Sequence, residues 1–89
     1  MMERVVEVVN ELGLHARAAA RLVQTAKQFR SDVVLRVGAR EARARSILGV
    51  LLLGAGQGSR LTVRCFGEDE HAAITAICEL VETRFGEDA

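Results

Sequence analysis

Residues 3–29 read ERVVEVVNELGLHARAAARLVQTAKQF and contain a predicted strand followed by a predicted helix. Residues 3–9 are rich in β-branched side chains, which favour an extended backbone. Residues 10–14 form a predicted loop, in which Gly13 permits a sharp turn. From Ala16 to about Phe29 the apolar residues recur at helical spacing and predict one buried stripe, formed by Ala19, Leu22, Val23, Ala26 and Phe29.

Three further strands are predicted in the middle of the chain. Residues 33–37 form the second strand, and residues 40–44 return as the third after Gly38-Ala39, which is short enough for a tight hairpin. Residues 60–66 alternate between apolar and polar side chains and predict the fourth strand. Its inward face would carry Leu61, Val63 and Cys65.

Two more helices complete the predicted order of elements. Ser46 precedes an apolar run at residues 47–53, and Asp69 is the predicted N-cap of a last helix. The buried stripe of that helix would be Ile74, Ile77, Cys78, Val81 and Phe85. The order β-α-β-β-α-β-α predicts an α+β fold with one mixed or antiparallel sheet and helices packed on one face.

Composition limits the classes of function. The 89 residues suffice for a single domain spanning 1–89. Twelve Lys and Arg balance twelve Asp and Glu, and aromatic residues make up 3%, so we expect no nucleic-acid partner. With no signal peptide and no apolar run of spanning length, we expect a cytoplasmic protein without membrane insertion. Cys65 and Cys78 lie in apolar patterns and are interpreted as reduced core residues.

His15 is the candidate for chemistry because it lies directly before an amphipathic helix. The first turn of a helix has unpaired N–H groups and a partial positive charge, so the amides of Ala16 and Arg17 would stabilise a dianion there. The Arg17 guanidinium adds a permanent cation able to donate two hydrogen bonds to phosphate. The same dipole opposes a proton on the ring, which leaves it nucleophilic. These features favour a histidine that is phosphorylated reversibly.

Other interpretations of His15 stay open on these residues alone. A histidine at a helix start is often only a polar cap. The second histidine, His71, is predicted at the exposed start of the last helix, so no set of metal ligands accompanies His15 and we expect neither a metal nor a cofactor. Nucleophilic hydrolysis would need a triad or an oxyanion loop, which the sequence does not contain.

The segment Gly13-Leu14-His15-Ala16-Arg17 resembles the active-site motif of HPr, the histidine phosphocarrier family of the bacterial phosphoenolpyruvate:sugar phosphotransferase system. The resemblance extends over the whole chain and includes Arg45-Ser46-Ile47-Leu48-Gly49, Leu53-Gly54 and Gly58. It implies an open-faced β-sandwich in which three helices cover one face of a four-stranded antiparallel sheet of order 1-4-2-3. One departure is Ala18, where the family usually has proline.

The resemblance also implies a function for individual residues. His15 would accept phosphate from phosphorylated Enzyme I, with assistance from Arg17, and pass it to a IIA-type acceptor. The protein would be a carrier and not an enzyme, and we expect a monomer. Ser46 matches the serine that a dedicated kinase or phosphorylase modifies in many relatives, and Arg43 and Arg45 would favour a phosphate there.

The run after Ser46 holds too many apolar residues for one buried stripe of a short helix. We therefore expect Leu52 and Leu53 to face inward and Ile47, Leu48 and Leu51 to form an exposed surface that binds partners. Two alternatives to the sugar carrier remain. One is a member of the nitrogen-related branch, which shares the motif, and the other is a purely regulatory protein that acts by binding. A small ligand- or RNA-binding domain is a third hypothesis, which the neutral charge and scarce aromatics disfavour.

Overall fold

The computed structural model describes residues 1–89 and contains four strands, three α-helices and a short terminal 3₁₀ turn. The strands are β1 (Met2–Glu7), β2 (Asp32–Val37), β3 (Arg40–Arg43) and β4 (Arg60–Phe66). The helices are α1 (Ala16–Ala26), α2 (Ile47–Leu52) and α3 (Glu70–Glu82), and the 3₁₀ turn covers Arg84–Gly86. The order β-α-β-β-α-β-α predicted from the sequence is confirmed.

The strands form one antiparallel sheet in the order β1-β4-β2-β3. Strand β4 lies at the centre, where Val63 is opposite Arg4 of β1 and Leu35 of β2. The alternation of β4 sends Leu61, Val63 and Cys65 to the helical face, where all three are fully buried. The other face of the sheet carries no helix, which confirms the open-faced sandwich.

The core lies between the sheet and the helices. It contains 23 buried residues, and its largest fully buried side chains include Leu22 of α1, Leu35 of β2 and Ile74 and Ile77 of α3. Both cysteines are free and buried, and loss of water contact raises the pKa of the Cys65 thiol to about 11. This agrees with their interpretation as reduced core residues. None of the helices has the length and apolar character needed to cross a membrane.

Two ends of helices differ from the sequence-based expectation. Helix α1 stops at Ala26, so Phe29 lies in the following turn and is only partly buried. Asp69 occupies the N-cap position of α3, but its carboxylate caps no α3 amide. Its Oδ1 instead accepts hydrogen bonds from the Ser31 hydroxyl (2.5 Å) and amide (2.9 Å). These bonds, with one from the Arg30 amide, lower the pKa of Asp69 to about 2.

The chain makes a sharp corner after α3, which was not predicted. Arg84 (φ 60°) and Phe85 (φ 56°) both have left-handed backbone, a conformation that costs a residue with a side chain roughly 1–2 kcal/mol. Phe85 is therefore not part of the α3 stripe, although its side chain is 1% exposed and lies in the core. The Arg21 guanidinium of α1 donates to the Phe85 carbonyl. Burial and this bond hold the corner, which turns the last residues towards the start of α1.

Candidate functional site

His15 is the N-cap of α1, with extended backbone (φ −74°, ψ 179°). Its Nδ1 accepts a hydrogen bond from the Arg17 amide at 3.3 Å, and its backbone carbonyl accepts from the Ala19 amide at 2.9 Å. Nδ1 therefore presents its lone pair to the positive end of the helix. The ring is 26% exposed. It is thus accessible but less exposed than a free polar cap would be.

Glu87 covers the other side of the ring, and the sequence did not identify it. Its Oε2 lies 2.6 Å from His15 Nε2, and its side chain is 12% exposed. Because Nδ1 accepts a hydrogen bond, the neutral ring carries its proton on Nε2, which donates to the carboxylate. This hydrogen bond is the main cause that lowers the pKa of Glu87, followed by the one from Asn10. The two residues are 72 positions apart, so no local pattern relates them.

Asn10 joins Glu87 to the loop that precedes His15. It is fully buried, and its Nδ2 donates to the Gly13 carbonyl at 2.8 Å and to Glu87 Oε1 at 3.0 Å. Its Oδ1 has no hydrogen-bond partner in the chain. Since a buried amide with two such bonds has a fixed orientation, Asn10 holds the carboxylate and the loop at a constant separation.

Gly13 gives the loop its shape. It has a left-handed φ of +63°, and a Cβ built on it would lie 2.4 Å from the Ala55 carbonyl oxygen and 2.7 Å from the Gly56 Cα. The Leu14 amide donates to that same carbonyl at 2.8 Å, which ties the loop to the segment after α2. A glycine is therefore required both for the backbone conformation and for the close approach of two chain segments.

Donors are available around Nδ1 for an anionic group. The amides of Ala16 and Ala18 make no hydrogen bond within the chain, and Arg17 is exposed with no carboxylate partner. Ala16 and Arg17 border an open cleft that also contains Arg21 and the acidic groups of Glu11, Glu87 and Asp88, whereas Ala18 is fully buried. The structure thus brings together His15, Ala16 and Arg17, the residues predicted for this site, in a geometry suited to a dianion.

Ser46 and the apolar run form a second surface on α2, a helix that contacts α1. Ser46 is exposed, and its Oγ accepts from the Gly49 amide at 3.1 Å, which makes it the N-cap of α2. The Arg45 guanidinium, which was expected to favour a phosphate on Ser46, donates from Nη2 to the Phe29 carbonyl at 2.6 Å.

The apolar residues of α2 divide differently from the expectation. Ile47 and Leu48 are 46% and 67% exposed, as predicted, and Leu53 is buried. The prediction for Leu52 was wrong, since it is 65% exposed, whereas Leu51 is partly buried against the core. The reason is the helical period: Val50 points to the core, so Leu51 lies at the edge of the buried stripe and Leu52 beyond it.

No group of three or more His, Cys, Asp or Glu side chains is arranged to hold a metal ion.

Comparison with known proteins identifies the family. The family model described as "PTS HPr component phosphorylation site" matches residues 2–83. Phosphocarrier protein HPr of Xylella fastidiosa (strain Temecula1) is 53% identical over 88 residues, 99% of both chains. Phosphocarrier protein NPr of Shewanella violacea is 43% identical over 86 residues, 97% of this chain and 94% of the relative.

Comparison with solved structures identifies the same family. The crystal structure of HPr from Thermoanaerobacter tengcongensis superimposes with a TM-score of 0.96 at 40% sequence identity and covers 100% of both chains. The curated relatives are phosphocarrier proteins, so the function of this family is to carry a phosphoryl group and not to catalyse a reaction. The chain therefore belongs to the HPr family of phosphocarrier proteins of the phosphotransferase system.

Proposed function

We propose that this protein accepts a phosphoryl group on Nδ1 of His15 from phosphorylated Enzyme I and passes it to a IIA-type acceptor. The observation that carries the proposal is the position of Nδ1. It is the ring nitrogen that carries no proton, because it accepts a hydrogen bond from the Arg17 amide, and it faces an N-terminal helix turn with two amides that lack acceptors. Nε2, by contrast, is occupied by the hydrogen bond to Glu87.

The transfer needs one bond made and one broken. The Nδ1 lone pair attacks phosphorus, the P–Nδ1 bond forms, and the bond from phosphorus to the donor breaks and returns its electron pair to the donor. The proton on Nε2 does not have to leave, so the phosphorylated ring is a cation. Handing the group on reverses these changes, with the electron pair of the P–Nδ1 bond returning to the ring.

The first turn of α1 supplies the electrostatic stabilisation. Once Nδ1 carries phosphorus, the Arg17 amide that now donates to Nδ1 is released to donate to a phosphoryl oxygen, beside the amides of Ala16 and Ala18. Ala18 contributes a donor that a proline at this position would lack. The exposed Arg17 guanidinium can reach the remaining oxygens in a bidentate manner.

Labelling with phosphoenolpyruvate and Enzyme I tests the proposal. Wild type should acquire acid-labile, alkali-stable phosphate, and His15→Ala should acquire none while keeping its far-UV circular dichroism. His71→Ala is the matched control, because it removes the second histidine of the chain, which is exposed at the start of α3. Normal labelling of His15→Ala, or loss of labelling in His71→Ala, would exclude His15 as the acceptor.

We propose that the exposed apolar residues of α2 bind the partners. Ile47, Leu48 and Leu52 form the patch and Leu51 forms its inner edge. Three large apolar side chains that are each 46–67% exposed on one short helix are unusual for a surface that has no partner. Helix α2 contacts α1, whose N-terminus carries His15, and this supports the proposal that one partner covers both the patch and the site.

Ser46 is the proposed regulatory residue. A phosphate on Oγ would lie at the N-terminus of α2, next to Ile47 and Leu48, and would have to lose its water when a partner binds the patch.

The carrier belongs either to the sugar branch or to the nitrogen-related branch, and similarity to both HPr and NPr relatives supports either branch. Monomeric state and a single domain over 1–89 stay predictions.

A further inference from the structure

We infer that Glu87 is a positioning residue that fixes the Nε2–H tautomer of His15 and thereby makes Nδ1 the nucleophile. The inference rests on the proposed function in so far as it concerns transfer. Its statement about the tautomer concerns the unphosphorylated protein and can be tested without any transfer.

The Glu87 carboxylate is held at both oxygens. Oε1 accepts from Asn10 Nδ2 at 3.0 Å, and Oε2 lies 2.6 Å from His15 Nε2. Asn10 is fully buried and donates from the same nitrogen to the Gly13 carbonyl, so its amide cannot turn without losing both bonds. An ionised carboxylate only accepts hydrogen bonds, and it therefore requires a proton on Nε2.

The corner at the end of α3 places Glu87 there. Arg84 and Phe85 keep left-handed backbone because the Phe85 side chain is buried and Arg21 of α1 donates to its carbonyl. The chain is thereby turned so that Glu87 reaches across to the N-cap of α1. Packing thus maintains two residues in an unfavourable conformation, and the segment that follows them provides the hydrogen bond between Glu87 and His15.

The carboxylate would act in both halves of the transfer. Before transfer it holds the proton on Nε2 and leaves the Nδ1 lone pair free. When the P–Nδ1 bond forms, the ring becomes a cation and Glu87 becomes its counter-ion, so the proton stays in place. The ring then leaves phosphorus as a neutral imidazole when the P–N bond breaks.

Other charged side chains near the ring do not provide this selection, and the Arg17 amide, which donates to Nδ1 at 3.3 Å, favours the same tautomer through a longer contact. Arg17 and Arg21 are cations that border the cleft, and Glu11 and Asp88 border it as well. None of these acidic groups is hydrogen-bonded to His15, whose carboxylate partner is Glu87. Asp88 adjoins Glu87 in sequence, and it therefore serves as the matched control.

Glu87→Gln gives the sharpest test. Asn10 Nδ2 requires a carbonyl oxygen in place of Oε1, so the new NH₂ group points at His15 Nε2 and makes that nitrogen an acceptor. The proton should then move to Nδ1. Long-range ¹H–¹⁵N correlation spectra of the imidazole distinguish the two tautomers. We expect wild type and Asp88→Asn to show Nε2–H, Glu87→Gln to show mainly Nδ1–H, and Glu87→Ala to show a mixture.

Initial phosphorylation by Enzyme I is the second readout. Loss of the correct tautomer should slow Glu87→Gln by about tenfold relative to Asp88→Asn, which removes one negative charge from the same cleft but keeps the tautomer. An unchanged Nε2–H tautomer in both Glu87 variants would overturn the inference even if His15 is phosphorylated normally. Failure of wild type to be phosphorylated would instead defeat the proposed function, and a shifted tautomer would still assign the positioning role to Glu87.

Discussion

Replacement of Gly13 by alanine should destabilise the protein more than the same change at Gly38. Both glycines have left-handed backbone, with φ of +63° and +58°. A Cβ at Gly38 would meet nothing within 4 Å, whereas a Cβ at Gly13 would lie 2.4 Å from the Ala55 carbonyl oxygen, which belongs to the backbone. The two variants therefore share the conformational cost and differ in the steric one.

The magnitude follows from these terms. The left-handed conformation costs alanine roughly 1–2 kcal/mol, partly offset by the lower entropy of the unfolded chain. We expect about 1 kcal/mol for Gly38→Ala from that difference. In Gly13→Ala the loop must also move away from Ala55 and lose the hydrogen bond between the Leu14 amide and that carbonyl. The expected loss of unfolding free energy for Gly13→Ala is about 3 kcal/mol, with about 1 kcal/mol each from the backbone conformation, the lost hydrogen bond and the displaced packing.

Urea denaturation and thermal melting measure the difference. For a domain of this size 1 kcal/mol lowers Tm by roughly 4–8 °C, so Gly13→Ala should melt about 12–24 °C below wild type. Gly38→Ala should melt roughly 4–8 °C below it, with the slope of the urea curve unchanged in both variants. Gly58→Ala, with φ of +89° and nothing within 4 Å, is a second control. Equal destabilisation at all three positions would refute the steric argument.

Arg17→Lys should slow phosphoryl transfer about tenfold, equivalent to about 1.4 kcal/mol of transition-state stabilisation, because it keeps the charge and loses the planar fork. Its free energy of unfolding should match wild type, since Arg17 is exposed and unpaired. Ser46→Asp should keep or raise Tm, because aspartate caps α2 as well as serine does. The same change should weaken the binding of Enzyme I measured by calorimetry, and an equal affinity would exclude regulation through Ser46. The pKa of Asp69 falls from 3.8 to about 2 in the folded protein, so its stabilising effect is complete above about pH 4 and is lost as the pH falls towards 2. Asp69→Asn should therefore flatten the acid limb of a stability–pH curve, and an unchanged limb would contradict the role of its bond to Ser31.

The local sequence around His15 predicts only part of its hydrogen bonding, and contacts from distant residues determine the rest. A histidine before a helix predicts a cap, and it does cap α1 through Nδ1. Its selection of one tautomer depends on Glu87, which approaches only because the chain turns at Arg84 and Phe85. Neither residue belongs to a type that favours left-handed backbone, so no propensity rule predicts the turn.

The errors on α2 and α3 have different origins. Leu52 was expected inside because apolar residues usually are, but a six-residue helix can bury only a narrow stripe, and Val50 occupies it. Asp69 has the residue type and position of a cap, yet Ser31 offers its carboxylate a hydroxyl and an amide from the segment before β2. On α2 the helical period decided which side chain is buried, whereas on α3 a neighbour distant in sequence outweighed a correct local preference.

Periodicity and turn chemistry were sufficient for the strands and the helices, and the position of His15 and Arg17 at a helix start made them candidates, because these signals arise from residues close together in the chain. The regulatory role of Ser46 and the strand order were implied only by the resemblance to HPr. Contacts between segments distant in sequence determined the arrangement of the site around His15. The buried Asn10 bridge, the approach of Glu87 to the ring and the close passage of Gly13 over Ala55 join positions that are far apart in sequence. Such contacts depend on how the helices and the C-terminal corner pack on the sheet, and packing is a property of the whole folded chain.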